Sequence, residues 1–556
     1  MQLNIELFDK KSIAIFGVNR YQRDFEYIFD FLNINFYIDD NMLVSNQSKP
    51  VFTVNELSFD KFRNVVVIIC EKNKEAACRA LESFDLQYGK DFIYAEDIFS
   101  LLDNDGPYLT EVLKKTEQRK LAVWGTGDTW LNFRQKLCEF NINLYVDVFI
   151  DKDPKKAGKM LDGKKVVDPS QIAENAKDYY IIHANMYYRE NKPLLTSWGL
   201  KEKDDFISHE EFLTLAKRKK PSELLKETIF AEEIEGPDCD LPFKQLTAEN
   251  RELYCCSCSR WVNFPVGDLA EKSLDENWNS IYAKIFRLSI INRTYSFCNK
   301  KNCPKFFSID KYKSENNVNS LDALPVPETL NLAIDYTCNL YCSSCRSRLG
   351  VAKGSDLDDK MAWADKIIES GWLEKVPLVI MAGSGEVFFS KVYRKLLFPQ
   401  NSSKRDSINI LTNGTLMDSD ILKTLSDTYK NIFISISIDA ASEQTYKILR
   451  RGGDWDRLQR NLETLSFYRK SSKVQGVRIR MVVQKQNYRE MIDFVKMAQK
   501  FSFDEAFFTR ILNWGTYSDK EFAGISMFEN DGTPKPELIE IQKDPIFNDP
   551  AVVLEF

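Results

Sequence analysis

The sequence lacks any long apolar segment. Its 556 residues contain no run of about 18 or more apolar residues, which is roughly the length that a membrane-spanning helix requires. The first residues, MQLNIELFDKKSIAIFG, also lack the basic and then apolar order of a secretion signal. We therefore expect a cytoplasmic protein that does not cross a membrane.

A surplus of one charge sign is absent as well. The chain has 76 lysine and arginine residues against 82 acidic residues, so its net charge is only −6, and the two signs are interspersed. Proteins that bind nucleic acid mainly through phosphate contacts are usually basic, so we expect no nucleic-acid partner. The length indicates about three or four domains, and 44% hydrophobic residues suffice for several buried cores.

Cysteine is absent from the last 211 residues but concentrated before them. Nine of the twelve cysteines lie between residues 239 and 345, and three are scattered before residue 150. Because a cytosolic compartment keeps thiols reduced, a concentration of this kind indicates metal binding rather than disulfides. The scattered cysteines lie among apolar or helical residues and are expected to be buried, inert thiols. They are Cys70, Cys78 and Cys138.

The first 215 residues contain one pattern twice. An apolar strand, a glycine turn, a helix, a second strand and an acidic residue follow each other from Ser12 and again from Lys120. Gly17 and Gly125 stand at the turns, and Asp39 and Asp151 end the second strands. Strands that alternate with helices predict parallel sheets covered on both faces. We therefore predict two Rossmann-like α/β domains, over 1–110 and 118–215.

Nucleotide binding by these repeats would need a glycine-rich turn that lets a pyrophosphate approach the backbone. The second repeat has Gly125 and Gly127, but Trp130 occupies the place of the third glycine, and the first repeat keeps only Gly17. A structural or partner-docking role is therefore favoured over dinucleotide binding. The second repeat also resembles Rossmann-like domains that accompany sugar-nucleotide and polysaccharide enzymes.

A second alternation of strands and helices begins near Leu330, after a charged boundary segment at 215–227. Six strand-like segments separated by helical patterns predict a partial (β/α)6 barrel over 326–515, in which the chemistry lies at the carboxyl ends of the strands. The proline-rich tail over 516–556 is predicted to be a C-terminal extension that covers the barrel without long helices. The six segments are LNLAIDY, PLVIMAG, INILTNG, NIFISISID, VRIRMVV and EAFFTRIL.

Three cysteines directly follow the first predicted barrel strand, in the spacing C-x3-C-x2-C of Cys338, Cys342 and Cys345. A closed tetrahedral metal site needs four ligands, yet no further cysteine follows, and no histidine occurs after His209. The polar segments AGSGE, TNG and SIDA follow the next three strands. The pattern favours a site with one open position over a structural zinc site.

This arrangement resembles the radical S-adenosylmethionine (SAM) enzymes, whose signature is C-x3-C-x2-C after the first barrel strand. The resemblance implies that the three cysteines hold a [4Fe–4S] cluster whose fourth iron binds SAM. It further implies reductive cleavage of SAM to a 5′-deoxyadenosyl radical that removes a hydrogen atom from a substrate, with the cofactor carrying the difficult chemistry. Cys338, Cys342, Cys345 and Glu386 are the catalytic residues that it implies.

Further cofactor-binding residues follow from the same resemblance. The family's glycine–glutamate segment binds the SAM amino group, an arginine reaches the SAM carboxylate, and other strand ends face the ribose or the substrate. Ordinary hydrogen bonding at the barrel rim is an alternative role for Thr412, Asn413 and Asp439. The residues implied are Gly383, Gly385, Glu386, Thr412, Asn413, Ser437, Asp439 and Arg450, with Arg451 as the alternative arginine. Ser344 stands where many members have an aromatic residue against the adenine.

The other six cysteines, within 232–312, resemble an auxiliary iron–sulfur module of the SPASM or twitch type. The matching features are a lone first cysteine, a vicinal pair, ENWNS with a following helix, and a closing C-x4-C. The resemblance implies a second [4Fe–4S] cluster on Cys239, Cys255, Cys298 and Cys303, with Cys256 and Cys258 as spare or alternative ligands. A structural zinc site is the alternative. In this chain the module precedes the barrel, whereas it usually follows it in the family.

The sequence therefore predicts an α/β radical SAM enzyme. Its expected partners are SAM, a reductant such as flavodoxin or ferredoxin, and a substrate that is either a peptide or protein or a sugar or sugar nucleotide. Auxiliary-cluster relatives often modify peptides, whereas the N-terminal repeats favour carbohydrate metabolism. A zinc or iron–sulfur scaffold that no longer cleaves SAM is the alternative from a different class.

Overall fold

The computed structural model describes residues 12–39, 49–62, 64–71, 74–104, 108–185, 187–262, 264–301, 303–307, 309, 321, 323–346, 348–381, 384–398, 404–513, 516–529 and 532–556. The chain divides into two compact units. The first comprises 1–242, 259–266 and 279–322, and the second comprises 243–258, 267–278 and 323–556. Over the described residues, no helix has the length and apolar character needed to cross a membrane.

The first unit contains two sheets. Their strands are β1 (Ser12–Phe16), β2 (Ile34–Ile38), β3 (Val51–Phe52), β4 (Val65–Ile69), β5 (Phe92–Tyr94), β6 (Lys120–Trp124), β7 (Val148–Ile150), β8 (Met160–Leu161), β9 (Lys164–Val167), β10 (Tyr179–His183) and β11 (Phe206–Ser208). The strand orders are β3-β2-β1-β4-β5 and β11-β10-β6-β7-β9-β8. All neighbours pair in parallel except β8 and β9. The predicted repeat therefore has one topology twice, with a small antiparallel hairpin added to the second copy.

The sequence of β4 shows why these sheets form. Its five residues, VVVII, are all buried, as expected of a parallel strand whose two faces are both covered. Each glycine turn is closed by the acidic residue of its own repeat: the Val18 N–H donates to Asp39 Oδ2 over 3.2 Å, and Thr126 Oγ1 donates to Asp151. Gly125 has a φ of +130°, and a Cβ there would lie 2.2 Å from the Ala184 carbonyl oxygen, so the turn requires glycine.

Helices surround these sheets. They are Arg20–Ile28, Lys74–Glu82, Leu109–Gln118, Asp128–Glu139, Ser170–Ala173, Tyr188–Ser197, His209–Lys217, Pro221–Ile229, Ile281–Ile291 and Pro304–Phe307, with 3-10 turns at Val54–Glu56, Phe59–Phe62, Ala95–Asn104, Ala176–Asp178 and Ser259–Trp261. The charged segment that the sequence marks as a boundary forms part of this unit. Pro221 starts a helix in which Leu224 and Leu225 are fully buried, because proline is well accommodated at a first helical position.

The second unit is built on one sheet, in which the described residues form ten strands. They are β12 (Gln245–Glu249), β13 (Glu252–Tyr254), β14 (Gly267–Asp268), β15 (Thr329–Ala333), β16 (Leu378–Met381), β17 (Arg405–Thr412), β18 (Tyr429–Ser437), β19 (Gly476–Val483), β20 (Glu505–Arg510) and β21 (Val552–Glu555). Their order is β14-β13-β12-β15-β16-β17-β18-β19-β20-β21. Neighbours from β12 through β21 pair in parallel, while β13 and β14 form an antiparallel edge.

The six predicted strands are β15 to β20, and four further strands were not predicted. The segment 232–312, predicted as one module, is divided between the two units, because β12 pairs with β15 and draws β13 and β14 into the sheet. The predicted C-terminal cover ends in a strand instead, since β21 pairs with β20. Short segments of this kind carry little periodicity, so pairing with a preformed sheet edge decides their structure.

The helices of this unit follow the strands that they connect. They are Leu274–Trp278, Gly354–Glu369, Trp372–Lys375, Lys391–Leu397, Ser419–Thr428, Glu443–Leu449, Trp455–Lys470, Met491–Phe501, Asp519–Ile525 and Pro536–Gln542, with 3-10 turns at Tyr488–Glu490 and Pro545–Asn548 and a short helix, Leu241–Lys244, at the unit boundary. Because parallel strands end at the same edge of a sheet, the loops after β15, β16, β17 and β18 meet there.

Candidate active site

The loop after β15 carries the three cysteines, and Asp335 holds its start in place. Asp335 is fully buried. Its Oδ1 accepts hydrogen bonds from the Thr337 N–H over 3.1 Å and the Thr337 hydroxyl over 2.9 Å, and its Oδ2 accepts one from the Ser390 hydroxyl over 2.6 Å. A short acidic side chain can fold back onto the following backbone in this way. The loop therefore leaves the strand in a defined direction just before Cys338.

The three thiols differ in burial, and each has a hydrogen-bond donor near its sulfur. Burial raises the pKa of Cys338 to about 11 and also raises the pKa of Cys342. The Leu340 N–H lies 3.4 Å from Cys338 Sγ, Arg450 Nη1 lies 3.6 Å from Cys342 Sγ, and Arg346 Nε lies 3.4 Å from Cys345 Sγ. The donors at Cys338 and Cys342 lower the pKa of each thiol, but burial is the larger effect, so the pKa of both thiols stays raised.

The cysteine loop is tied to the segment after the helix Glu443–Leu449. The Tyr341 N–H donates to the Arg451 carbonyl oxygen over 3.1 Å, and Arg451 Nε donates to the Tyr341 carbonyl oxygen over 3.0 Å. The Ser343 N–H donates to the Leu449 carbonyl oxygen over 3.0 Å. The predicted alternative arginine, Arg451, therefore holds the loop through its backbone and side chain. Tyr341 lies under its guanidinium, 5.1 Å from ring centre to Cζ.

Glu386 lies at the centre of the site. Its side chain is 1% exposed, and burial raises the pKa of its carboxyl, although hydrogen bonds from Thr412 and Asn413 act in the opposite direction. The Thr412 hydroxyl donates to Oε1 over 2.6 Å, and the Asn413 N–H donates to Oε2 over 2.7 Å. Each carboxylate oxygen can accept more than one hydrogen bond, so the group can still receive a cation.

Gly385 brings the glycine–glutamate loop against the cysteine loop. A Cβ at this position would lie 2.5 Å from the Asp335 carbonyl oxygen and 2.6 Å from that of Thr337. Such distances are too short for any side chain, so the close approach of the two loops requires glycine here. Gly383, the other predicted glycine, lies outside the described residues. Arg346 donates to the Ser384 carbonyl oxygen and joins the same two loops from the other side.

Thr412 and Asn413 bind protein groups as well as Glu386. Asn413 Nδ2 donates to Asn339 Oδ1 over 2.9 Å, and Asn339 Nδ2 donates to Thr415 Oγ1 over 3.0 Å. The loops after β15, β16 and β17 therefore form one hydrogen-bonded network around Glu386. This is the rim hydrogen bonding that the sequence left open as an alternative role for these two residues.

Asp439 and Arg450 form a buried ion pair. Arg450 Nη2 lies 2.8 Å from Asp439 Oδ2, and their side chains are 11% and 3% exposed. The Val482 N–H donates to Asp439 Oδ1 over 2.8 Å. Arg450 therefore contacts Asp439 through one terminal nitrogen and Cys342 through the other. Its Nε is buried and has no hydrogen-bond partner among the described residues, so this donor is available to a ligand.

Ser437 is the last residue of β18 and is half-buried. It lies opposite Arg480 in the pairing of β18 with β19. Asp439, two residues further, has a φ of +61°, a conformation that aspartate tolerates better than most residues. Both positions are therefore at the strand edge where the cysteine loop lies.

Asp335, Asn339 and Arg346 are among the residues of this network that were not predicted. All three lie within or beside the cysteine motif, in DYTCNLYCSSCR. Their polar character in a loop between apolar segments was the available signal. Asp335 bonds to Ser390 and Asn339 bonds to Asn413, and both partners are more than 50 residues away along the chain. Only the fold could therefore show what these residues do.

The donor set at this edge can hold a cluster. Each cysteine of an iron–sulfur cluster binds a different iron, so three thiols can hold three irons of a [4Fe–4S] cluster. Three thiols with adjacent donors, a buried carboxylate and an unpartnered Arg450 Nε are consistent with a cluster and a zwitterionic ligand.

The predicted auxiliary ligands are distributed over both units. Cys239, Cys298 and Cys303 belong to the first unit, whereas Cys255, like Cys256 and Cys258, belongs to the second. Burial raises the pKa of Cys239, and the nearby Cys303 raises it further, while Lys305 lowers it. The assignment of these cysteines to one cluster stays a prediction.

Two family models match parts of this chain. Residues 334–498 match the Radical SAM superfamily, and residues 117–204 match the family described as C2185-like, N-terminal. The first match begins at the end of β15 and contains the cysteine loop, Glu386 and Arg450. The second begins one residue before the second predicted repeat and covers that repeat up to residue 204.

Curated relatives and solved structures were also compared. The chain is 28% identical over 178 residues to GTP 3′,8-cyclase of Clostridium botulinum (strain Okra / Type B1), covering 31% of this chain and 53% of that protein. The chain thus spans about half the length of the curated relatives that it matches. Streptococcus suis SuiB bound to S-adenosylmethionine is 18% identical, with 41% of this chain and 50% of SuiB covered and a TM-score of 0.28. Native anSMEcpe with bound AdoMet is 20% identical, covers 41% and 63%, and has the same TM-score.

Residues 334–498 therefore form a radical SAM superfamily domain. The predictions of an α/β fold with parallel sheets and of an enzyme are confirmed, and the prediction of a radical SAM domain is confirmed for residues 334–498. The family implies a [4Fe–4S] cluster and SAM as cofactors.

Proposed function

We propose, from the radical SAM domain at 334–498, that this enzyme reductively cleaves SAM and that the 5′-deoxyadenosyl radical so formed abstracts a hydrogen atom from a substrate. The observation that carries the proposal is the network in which the three-cysteine loop, Glu386 and Arg450 meet at one edge of a parallel sheet. This edge belongs to the partial (β/α)6 barrel that we propose for 326–515.

The chain's own residues would hold and orient the cofactors. Cys338, Cys342 and Cys345 would bind three irons of the cluster and leave the fourth accessible to SAM. When bound, the cluster supplies the electron for cleavage of the sulfonium. Glu386 would accept the SAM ammonium, since a buried carboxylate binds a cation strongly. The free Nε of Arg450 would donate to the SAM carboxylate, while Asp439 keeps its guanidinium in place.

Thr412 and Asn413 would orient Glu386. Ser437 would act through its position at the strand edge. Gly385 would let the Glu386 loop approach the cysteine loop, and Gly383 is proposed from the motif alone. Except for Gly383, these roles rest on the contacts of Glu386, on the close contacts around Gly385 or on the end of β18.

The simplest test compares the Cys338→Ala, Cys342→Ala, Cys345→Ala triple variant with the wild type. Reduced, anaerobically reconstituted wild type incubated with SAM should produce 5′-deoxyadenosine, and the triple variant should produce none. Cys138→Ala is the matched control, because Cys138, which was expected to be buried, is an exposed thiol of the first unit. Equal yields from the triple variant and the wild type would refute the proposal.

A second [4Fe–4S] cluster on Cys239, Cys255, Cys298 and Cys303 is also part of the proposal, supported by the cysteine spacing and by the proximity of Cys303 to Cys239. Four cysteine ligands would close it to SAM, so its role would be electron transfer or substrate support. The triple variant should then retain about four irons per chain. One zinc and no iron in that variant would establish a structural metal site instead.

The substrate proposal keeps both predicted classes, a peptide or protein and a sugar or sugar nucleotide. A curated relative named for a reaction of GTP adds nucleotides to the second class. The strand order in the first unit supports Rossmann-like domains at 1–110 and 118–215, with 232–312 as the auxiliary segment and 516–556 as the extension. A reductant such as flavodoxin or ferredoxin would supply the electron. Wild type that contains iron but forms no 5′-deoxyadenosine would favour the alternative, an iron–sulfur scaffold.

A further inference from the structure

In the second unit, β19 carries an arginine that the proposed cofactor binding does not use. Along β19 the buried residues alternate with half-buried ones, so the half-buried residues Arg478, Arg480 and Val482 share one face of the strand. We call this face, which is opposite the one with the buried residues, the inner face of the sheet. Arg480 lies opposite Ser437 on β18 and opposite Phe507 on β20. It is therefore next to a residue at the edge where SAM is proposed to bind.

The guanidinium of Arg480 contacts an aromatic ring. The centre of the Phe507 ring lies 4.8 Å from Cζ, and among the described residues the guanidinium makes no hydrogen bond or ion pair. Burial and then the neighbouring Arg478 lower the pKa of Arg480, whereas Glu555 and Asp439 raise it. An arginine has five N–H donors, and among the described residues none of those of Arg480 is paired, so they are available to a ligand.

The nearest carboxylates are engaged elsewhere or lie too far away. Glu505 pairs with Arg478 at 2.5 Å, and Asp439 pairs with Arg450 at 2.8 Å. Glu555 acts on Arg480 electrostatically but forms no ion pair with it within the described residues. Arg478 also lies over Phe507, at 4.4 Å, so the aromatic ring fixes both arginines on this face.

A second polar side chain without a partner continues the same alternation. Gln484 follows β19 directly and is 1% exposed, yet neither its Nε2 nor its Oε1 has a hydrogen-bond partner among the described residues. Native proteins satisfy most buried amides of this kind. Its backbone is anchored, because the Gln484 N–H donates to Asn487 Oδ1 over 2.8 Å and Asn487 Nδ2 donates to the Asp439 carbonyl oxygen over 2.9 Å.

We propose that Arg480 binds a carboxylate or phosphate group of the substrate, so that the substrate is an anionic molecule held on the inner face of the sheet beside the SAM site. This inference rests on the proposed function and names the substrate class for the same site. A planar guanidinium can donate two parallel hydrogen bonds to either oxyanion. The Phe507 ring sets the plane of that guanidinium, and the Gln484 amide is available for a neutral polar group of the same molecule.

The test uses the full-length, reconstituted protein saturated with SAM, so that the proposed SAM carboxylate site is already filled. Binding of inorganic phosphate, pyrophosphate and malonate is measured by titration calorimetry, which separates phosphate from carboxylate recognition. At least one probe should bind the wild type, and Arg480→Gln should weaken that binding about 10- to 100-fold, as expected for the loss of a charge-assisted contact. Arg480→Lys keeps the charge and should lose less.

The matched control is Arg457→Gln, which removes an exposed arginine of the helix Trp455–Lys470 and should bind the probes as the wild type does. If no probe binds the wild type below about 10 mM, or if Arg480→Gln binds them unchanged, the anion site is refuted. Iron content and circular dichroism verify that each variant is folded. If Arg480→Gln does not fold, Arg480→Lys is compared with the wild type instead.

The outcomes separate this inference from the proposed function. Probe binding that depends on Arg480 in a protein that forms no 5′-deoxyadenosine would support the anion site and refute the function. If the protein forms 5′-deoxyadenosine and Arg480→Gln binds the probes as tightly as the wild type does, the anion site alone is refuted.

Discussion

Replacing Glu386 by glutamine isolates the charge at the centre of the site. The side chain keeps its size, so the buried position, which is 1% exposed, stays filled. The amide oxygen can still accept the Asn413 N–H, which donates to Oε2 over 2.7 Å in the wild type. The amide NH2 would then face the Thr412 hydroxyl, which can rotate to accept. We therefore expect Glu386→Gln to fold and to bind iron at the wild-type level.

The expected loss is in SAM affinity. A hydrogen bond to a charged group contributes about 1.5–3 kcal/mol, and the amide cannot replace the carboxylate opposite an ammonium. At about 1.4 kcal/mol for each factor of ten, the dissociation constant for SAM should rise about 10- to 150-fold. The raised pKa that burial gives this carboxyl means that the wild type should itself lose affinity as the pH falls and the group is protonated.

The assay is anaerobic titration calorimetry of SAM against reconstituted protein. Glu490→Gln is the matched control, because Glu490 accepts hydrogen bonds from the Ala441 N–H over 2.6 Å and the Ser442 hydroxyl over 2.7 Å on the same rim but contacts none of the proposed SAM ligands. An unchanged SAM dissociation constant in Glu386→Gln, at full iron content, would refute the role assigned to this residue.

Two further variants test other parts of the structure. Gly385→Ala should destabilise the second unit by about 1–3 kcal/mol and weaken SAM binding, because the new Cβ would lie 2.5 Å from the Asp335 carbonyl oxygen. Gly524→Ala is the control, because no atom lies within 4 Å of the Cβ added there. Urea unfolding of both variants measures the difference in stability. Burial lowers the pKa of His183 to about 3 from 6.5, so the unfolded chain takes up the proton first and stability falls as the pH drops between those values. The wild type should lose about 2 kcal/mol more than His183→Gln between pH 7 and 5, and equal losses would contradict this.

The strands of both units could largely be read from the sequence because their patterns are local. The segments from LNLAIDY to EAFFTRIL became β15 to β20, and the duplicated pattern became two sheets of one topology. Apolar periodicity and turn residues act over a few positions. The strands β12 and β21 could not be found in this way, since their structure follows from pairing with β15 and β20.

The chemical class of the site was likewise local information. Three cysteines within eight residues, followed by GSGE, TNG and SIDA at successive strand ends, contain the donor types and their spacing. The motifs did not show which side chains each residue contacts. Arg450 was expected to face SAM, yet two of its nitrogens contact Asp439 and Cys342, while Nε is buried without a hydrogen-bond partner among the described residues.

The sequence by itself determined that this chain alternates strands and helices and carries three thiols in a loop with no fourth ligand. Only the tertiary structure shows that Glu386 is buried between Thr412 and Asn413 and that Arg480 lies over the Phe507 ring without a polar partner among the described residues. The physical reason is distance along the chain: strand periodicity and motif spacing join residues a few positions apart. Burial, hydrogen bonding and the pairing of charges join residues that only the packed sheet brings together.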